Sequence, residues 1–202
     1  MLVIVGLGNP GGEYKGTRHN AGRDAVLLLA KQEAASWQID EFALNKKANA
    51  LVAEGRAGKE KVVLMLPETF MNNSGKAVSA FVKSVKAAKN LLVIQDDLDL
   101  PLGVLKMVFS RGSGGHKGIE SIMRAIKTEA FVRVRIGISG EGKKNQAKKV
   151  EGEEKVLKHV IGTWKPTEKR DAQKVIVRAA EAARVWATEG IEKAQQLANT
   201  RP

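Results

Sequence analysis

The chain has 202 residues, of which 43% are hydrophobic and 28% charged, a balance that suits one globular domain and excludes wholesale disorder, collagen and fibrous repeats. Cysteine is absent, so disulfides, thiol nucleophiles and Cys-based zinc sites are excluded. A formal net charge of +12 points to a polyanionic partner, and an aromatic content of only 4% favours phosphate contact over base stacking. Leu2–Val5 is a short, β-branched apolar run ended by glycine and reads as a buried strand. A glycine-rich loop follows, Gly6-Leu7-Gly8-Asn9-Pro10-Gly11-Gly12. A helix is expected from Asn20, with Ala21, Ala25, Leu28, Leu29 and Gln32 at helical spacing. Val62–Leu66 is a second buried strand, stopped by Pro67. Asn73 or Ser74 is placed to cap a helix running through Val78, Phe81, Val82 and Val85. Leu91–Ile94 is a third strand, closed by Asp96-Asp97-Leu98-Asp99, and Val104–Phe109 a fourth. Ile119–Ile126 reads as a helix. Phe131–Ile138 alternates, which predicts a half-buried strand with Arg133 and Arg135 on a basic face. Glu141–Lys149 is a polar loop. Helices are expected over Glu153–Ile161 and Thr167–Thr188, the latter with Ile176, Ala179, Ala180, Ala183 and Trp186 as its apolar stripe.

Strands and helices interleave through residue 138. This predicts a single α/β domain over residues 1–202, with a twisted, mostly parallel mixed sheet flanked by α-helices. No apolar run approaches the ~18 residues of a membrane span, and no basic leader precedes Leu2. A cytoplasmic protein with no membrane partner is expected.

The candidate functional residues fall at strand ends. Gly6-x-Gly8-x-x-Gly11 formally matches a dinucleotide fingerprint. Pro10 and Gly12 prevent a helix from opening at Gly11, and residues 27–35 are helical in composition where a second strand should end in an acid. What survives is a tight loop that projects Asn9 at the carboxyl end of the first strand. His19 lies just outside a helix start, where the positive end of the dipole favours a neutral imidazole, the form a general base needs. Asp96 can orient such a histidine, although strand-end acids also bind Mg²⁺ or simply make turns. Asn72, in Phe70-Met71-Asn72-Asn73, has no obvious capping role and is suited to hold a water or an oxyanion. Residues 112–118 form a second glycine loop without Walker spacing. His116 there is open to a catalytic, ligand or loop role, and His159 reads as solvated. Together these are parts for activating water against an acyl group on a basic protein.

These residues resemble bacterial-type peptidyl-tRNA hydrolases. The resemblance is carried in order by Val5–Gly11, Tyr14, Thr17–Gly22, Thr69–Gly75, Asp96–Pro101, Gly114-Gly115-His116 and Arg133–Ile138. It implies cleavage of the ester between a nascent peptide and tRNA, with peptidyl-tRNA as partner, no metal or organic cofactor, and a monomer. By position, it implies His19 as general base, Asp96 as its orienting acid and Asn72 as water or oxyanion holder. Asn9, Tyr14, Phe70, Met71, His116 and Lys117 would contact the peptide side of the substrate. Arg133, Lys106 and Arg111 would meet tRNA phosphate. Two positions depart from the pattern. Lys117 stands where the family usually has Asn, and lysine donates a hydrogen bond but cannot accept one. Val108 stands where a second basic residue is usual, and Arg111 is the candidate replacement.

Overall fold

The computed structural model describes residues 1–142 and 146–200. Part of the Glu141–Lys149 loop expectation therefore lies outside the described residues. Among the described residues, seven strands form one sheet: β1 (Leu2–Gly6), β2 (Ala43–Asn45), β3 (Ala50–Ala57), β4 (Glu60–Pro67), β5 (Leu91–Pro101), β6 (Leu105–Phe109) and β7 (Val132–Ser139). Their order is β2-β3-β4-β1-β5-β7-β6. The centre β4-β1-β5-β7 is parallel, and β2, β3 and β6 add antiparallel edges. The parallel strands β1, β4 and β5 carry nearly continuous apolar runs because both sheet faces are covered. On one face, Ile4, Leu64, Leu92 and Val134 pack with α1 (Ala21–Gln32) and with the later helices α6 (Lys169–Glu189) and α7 (Ile191–Asn199). On the other, Val3, Val5, Val63 and Val93 pack with α2 (Ser74–Ser79) and α4 (Lys117–Ile126).

Three departures from expectation have local causes. The helix expected through Val85 stops at Ser79. The side chain of Ser84 then accepts from the Ala87 N–H and starts a separate short helix, α3 (Val85–Ala88). The strand at Leu91 runs on through the acidic cluster, because Asp96 still pairs with Ile136 of β7, and the register shifts only between Asp97 and Pro101. The basic face expected on β7 does not face water. Arg133 and Arg135 lie between β5 and β6, Arg133 is 2% exposed, and Arg135 Nε is paired with Asp97 at 2.5 Å.

Close backbone approach positions the site. A Cβ on Gly22 would lie 2.2 Å from the carbonyl oxygen of Ile94, so only glycine lets the first turn of α1 lie against β5. At the opposite edge, the Asn199 amide accepts from the Met107 N–H at 2.8 Å and donates to the Met107 carbonyl at 3.3 Å, supplying the outer strand β6 with a ladder partner.

Candidate active site

The site is assembled from the carboxyl ends of β1, β4 and β5 and the loop before α4. His19 stands on a one-turn 3₁₀ helix, Arg18–Asn20, that leads into α1. Its Nδ1 lies 2.9 Å from both carboxylate oxygens of Asp96. His116 Nε2 lies 3.0 Å from Asp96 Oδ1. The two imidazole rings are 5.4 Å apart at their centroids. Asp96 is 1% exposed.

The hydrogen bonds fix the tautomers. His116 is the N-cap of α4, and its Nδ1 accepts from the Gly118 and Ile119 N–H groups at 3.2 and 3.4 Å. Its proton therefore sits on Nε2 and is donated to Asp96. His19 Nδ1 faces the same carboxylate and donates to it, which leaves the His19 Nε2 lone pair free. Left-handed backbone at Gly114 (φ 65°) and Gly115 (φ 78°) shapes the turn that delivers His116.

Burial favours the neutral form of each group, and the pairing overrides it. Burial of Asp96 pushes its carboxyl up, but the charge and hydrogen bonds of His19 and His116 hold it well below the usual carboxylate range. Burial of His19 works against its imidazolium, yet the Asp96 charge and hydrogen bond raise its pKa above the ordinary histidine value.

A cavity of about 140 Å³ opens beside this triad. Its roof is α5 (Glu153–Val160), through Val156, Leu157 and Val160. Gln95 is on its wall. Gln95 Nε2 donates to the Asp96 carbonyl at 3.3 Å, while its Oε1 is buried without a partner among the described residues. Sequence reasoning passed over Gln95, because a polar residue inside an apolar strand was the only signal.

Asn9 is buried in a scaffold next to the triad. Its Oδ1 accepts from the Met71 N–H at 2.9 Å. Asn20 is the N-cap residue of α1, but its side chain makes no capping bond; it accepts from the Asn9 N–H at 2.8 Å and donates to the Asn9 carbonyl at 3.0 Å. With Oδ1 occupied, Asn9 Nδ2 has no hydrogen bond among the described residues and is the group free to donate to a ligand. Asn72 lies on the 3₁₀ turn Met71–Asn73, exposed, with no hydrogen bond to His19 or Asp96. Phe70 is 59% exposed and meets Tyr14 edge-on, ring centroids 6.4 Å apart, while Met71 is buried.

The other candidates separate by exposure. Arg133 is inside, donating from Nη2 to the carbonyls of Arg111 and Gly112 at 2.6 and 2.9 Å. Burial, with the neighbouring Arg135 charge, pushes its guanidinium down to about 10. A phosphate contact by Arg133 is therefore corrected to a brace for the 111–112 loop. Arg111 is exposed and Lys106 half-buried on the edge strand β6. Lys117 is exposed and pairs with Glu153 at 2.8 Å. His159 is not merely solvated, since its Nε2 donates to the Ile138 carbonyl at 3.0 Å.

The acids of the 96–99 cluster do not converge on one point. Asp97 is engaged by Arg135, and its Oδ1 accepts from the Asp99 N–H. His19, Asp96 and His116 place candidate ligand atoms within 4.8 Å of one another. A cation there would have to displace the protons that both histidines already donate to Asp96, so these groups fit a hydrogen-bonded triad better than a metal shell.

The peptidyl-tRNA hydrolase family model matches residues 3–202. The chain belongs to the peptidyl-tRNA hydrolase family. It is 37% identical over 201 residues to the peptidyl-tRNA hydrolase of Herpetosiphon aurantiacus, covering 98% of this chain and 90% of that protein. It is 40% identical over 187 residues to that of Halalkalibacterium halodurans, covering 92% and 93%. A crystal structure of peptidyl-tRNA hydrolase from Acinetobacter baumannii superposes with a TM-score of 0.85 at 32% identity, covering 100% of this chain and 95% of that one. The protein is thus an enzyme of the peptidyl-tRNA hydrolase class. No helix among the described residues is long and apolar enough to cross a membrane.

Proposed function

We propose that the protein hydrolyses the ester joining a peptide, or an N-blocked aminoacyl group, to tRNA, with His19 as general base on the attacking water. The observation that carries this reading is the His19–Asp96 contact. It commits Nδ1 as a donor and leaves Nε2 as the basic lone pair. Asp96 keeps the imidazole in that tautomer and stabilises the imidazolium formed when water is deprotonated. His116 is a second donor to the same carboxylate and fixes its orientation.

An aminoacyl ester is already activated, so general-base help of ~10²–10⁴-fold and one oxyanion donor of ~10²–10³-fold form a sufficient set. Asn72, exposed beside Met71, is the proposed donor to the oxyanion or the water. Asn9 Nδ2 is the proposed donor to the peptide carbonyl. A donor at Asn9 Nδ2 can pair with the acyl carbonyl of a blocked α-nitrogen, a group that free aminoacyl-tRNA lacks, and this is the proposed basis of discrimination.

Water as nucleophile is supported by the surroundings. The chain has no cysteine, and the hydroxyl of Ser113, on the cavity wall, donates to Glu120 at 3.2 Å instead of to a histidine. Exposed Arg111 and half-buried Lys106 are the proposed phosphate contacts, and a cytoplasmic monomer is the proposed working form.

The test is His19→Ala assayed with N-acetyl-aminoacyl-tRNA beside its unblocked counterpart. Hydrolysis of the blocked ester is expected to vanish while tRNA binding persists. A variant that hydrolyses at the parent rate would remove His19 from the mechanism.

A further inference from the structure

His19 is the middle residue of a three-residue 3₁₀ turn. Such turns have poor hydrogen-bond geometry and little stability of their own. The position of the imidazole therefore depends on what holds the residues on either side. Asn20 holds one side through its two bonds to Asn9. Arg18 holds the other, and nothing in the chemistry above uses it.

Arg18 is a cationic side chain only 5% exposed. Its backbone N–H donates to the Gly162 carbonyl at 3.0 Å, and the preceding Thr17 bridges Thr163 in antiparallel fashion. Its Nη1 donates to the Thr163 carbonyl at 2.9 Å, and its Nη2 pairs with Glu168 at 2.6 Å. The guanidinium lies 5.1 Å from the centre of the Trp164 ring. Glu168 Oε2 also accepts from the Lys165 N–H at 2.9 Å, so the carboxylate is held from two directions. The segment that receives Arg18 is anchored to the sheet through the bond from His159 to Ile138.

This is a costly construction for packing alone. Buried ion pairs often lose to apolar residues of the same volume, because desolvation offsets their attraction. Here Arg18 carries most of that cost, since Glu168 is only partly buried, and the Arg18 Nε is buried without a partner among the described residues. What the arrangement provides is directional. A planar fork on a fixed carboxylate, a carbonyl and a ring face defines one position for the backbone beside His19.

The geometry points to Arg18 and Glu168 as a positioning clamp that fixes the His19 turn, so that Nδ1 stays on Asp96 while Nε2 meets the attacking water. This rests on the reading of His19 as the base. Neither residue touches the reacting atoms. Among the described residues, the titratable groups that meet the His19 ring are Asp96 of β5 and His116 ahead of α4, and the Arg18 guanidinium bonds elsewhere.

The experiment compares Glu168→Ala and Glu168→Gln in the full chain, with kcat and KM for N-acetyl-aminoacyl-tRNA measured across the neutral pH range. A displacement near 1 Å can cost as much as ~10²-fold in rate, so a loss of kcat between ~10- and 10²-fold is expected for Glu168→Ala, with KM unchanged. Its pH–rate inflection should move down, because a slackened contact with Asp96 leaves burial of the imidazole less opposed. Glu168→Gln keeps an acceptor for Arg18 and Lys165 and should retain most of kcat. Parent kcat and an unmoved inflection in Glu168→Ala, with only a lower Tm, would make the contact purely structural and overturn the clamp. Should Glu168→Ala not fold, Trp164→Leu, which keeps apolar cover and removes the ring face, carries the same comparison with the same two outcomes. His19→Ala measured alongside separates the two readings: an inactive His19→Ala beside a fully active Glu168→Ala removes the clamp alone. An active His19→Ala removes the base, and ring-nitrogen NMR titration of His19 in Glu168→Ala then decides the clamp by whether its pKa moves.

Discussion

Asp96→Asn is the sharpest perturbation of the triad, because the structure dictates which way the new amide must point. His116 can offer Asp96 only an N–H, since its Nδ1 is engaged by the Gly118 and Ile119 amides. The Asn oxygen is therefore held at the Oδ1 position and the NH₂ falls at Oδ2, each 2.9 Å from His19 Nδ1. His19 Nδ1 then faces an acceptor and a donor at equal distance, where it had two acceptors. The Nδ1–H tautomer loses its preference, and each imidazole that moves its proton to Nε2 to accept from the NH₂ loses the lone pair the base needs. Losing general-base catalysis costs ~10²–10⁴ in kcat, or about 2.7–5.5 kcal/mol in the barrier. A second signature follows from charge. In the parent, burial lowers the His19 pKa and Asp96 more than reverses it. Without the carboxylate, burial is unopposed and the pKa drops below the ordinary histidine value. The rate plateau of the variant should begin at lower pH and lie far below the parent's. Single-turnover release of labelled N-acetyl-amino acid, followed across the neutral range, reads both effects. A kcat within about threefold of the parent, equivalent to under ~0.7 kcal/mol, would refute the tautomer argument.

Other outcomes follow from the same geometry. Arg133→Met should lower Tm by loosening the 111–112 loop and leave the salt dependence of KM unchanged, whereas Arg111→Ala should flatten that dependence by about one phosphate contact. If Arg133→Met flattens the salt slope instead, the buried arginine reaches RNA after all. Gly22→Ala places a methyl 2.2 Å from the Ile94 carbonyl and should cost ~1–3 kcal/mol in urea unfolding, with activity falling further than the unfolded fraction explains as α1 carries His19 away from Asp96. A variant with unaltered stability would show that the helix yields freely. Glu168 has a depressed carboxyl pKa, because Lys165 and Arg18 outweigh its partial burial. Its contribution to stability is present above the unfolded value near ~4.3 and is lost as pH falls through the folded one. The gap in urea midpoint between the parent and Glu168→Gln should be constant near neutrality and close in acid. A gap that widens in acid contradicts this sign.

The sheet and the triad differ in how far they can be read from residues alone. Of the four central strands, β1, β4 and β5 announce themselves as apolar runs because both their faces are buried, as at Leu91–Ile94 and Val62–Leu66. β3 does not, since Ala-Leu-Val-Ala-Glu-Gly-Arg-Ala has weak strand propensity. It is held by its full-length pairing with β4, and Gly55 lets the Trp37 carbonyl approach where a Cβ would lie only 2.7 Å away. Alternation misled at β7: Arg133 and Arg135 have the period of a solvent face, but a guanidinium can be buried where carbonyls or a carboxylate meet it. His19 and Asp96 are marked by their places at helix start and strand end. The tautomer of His116 is not, because it depends on two backbone N–H groups that exist only once α4 has formed.

The bond from Asn199 to Met107 has a consequence for the protein in crowded solution. An outermost strand with free amides invites a neighbour to add to it, and here one side chain fills that vacancy from the last turn of the final helix. Clipping that helix by a protease would open the seam on β6, and the danger then would come from other copies of the chain zipping onto it.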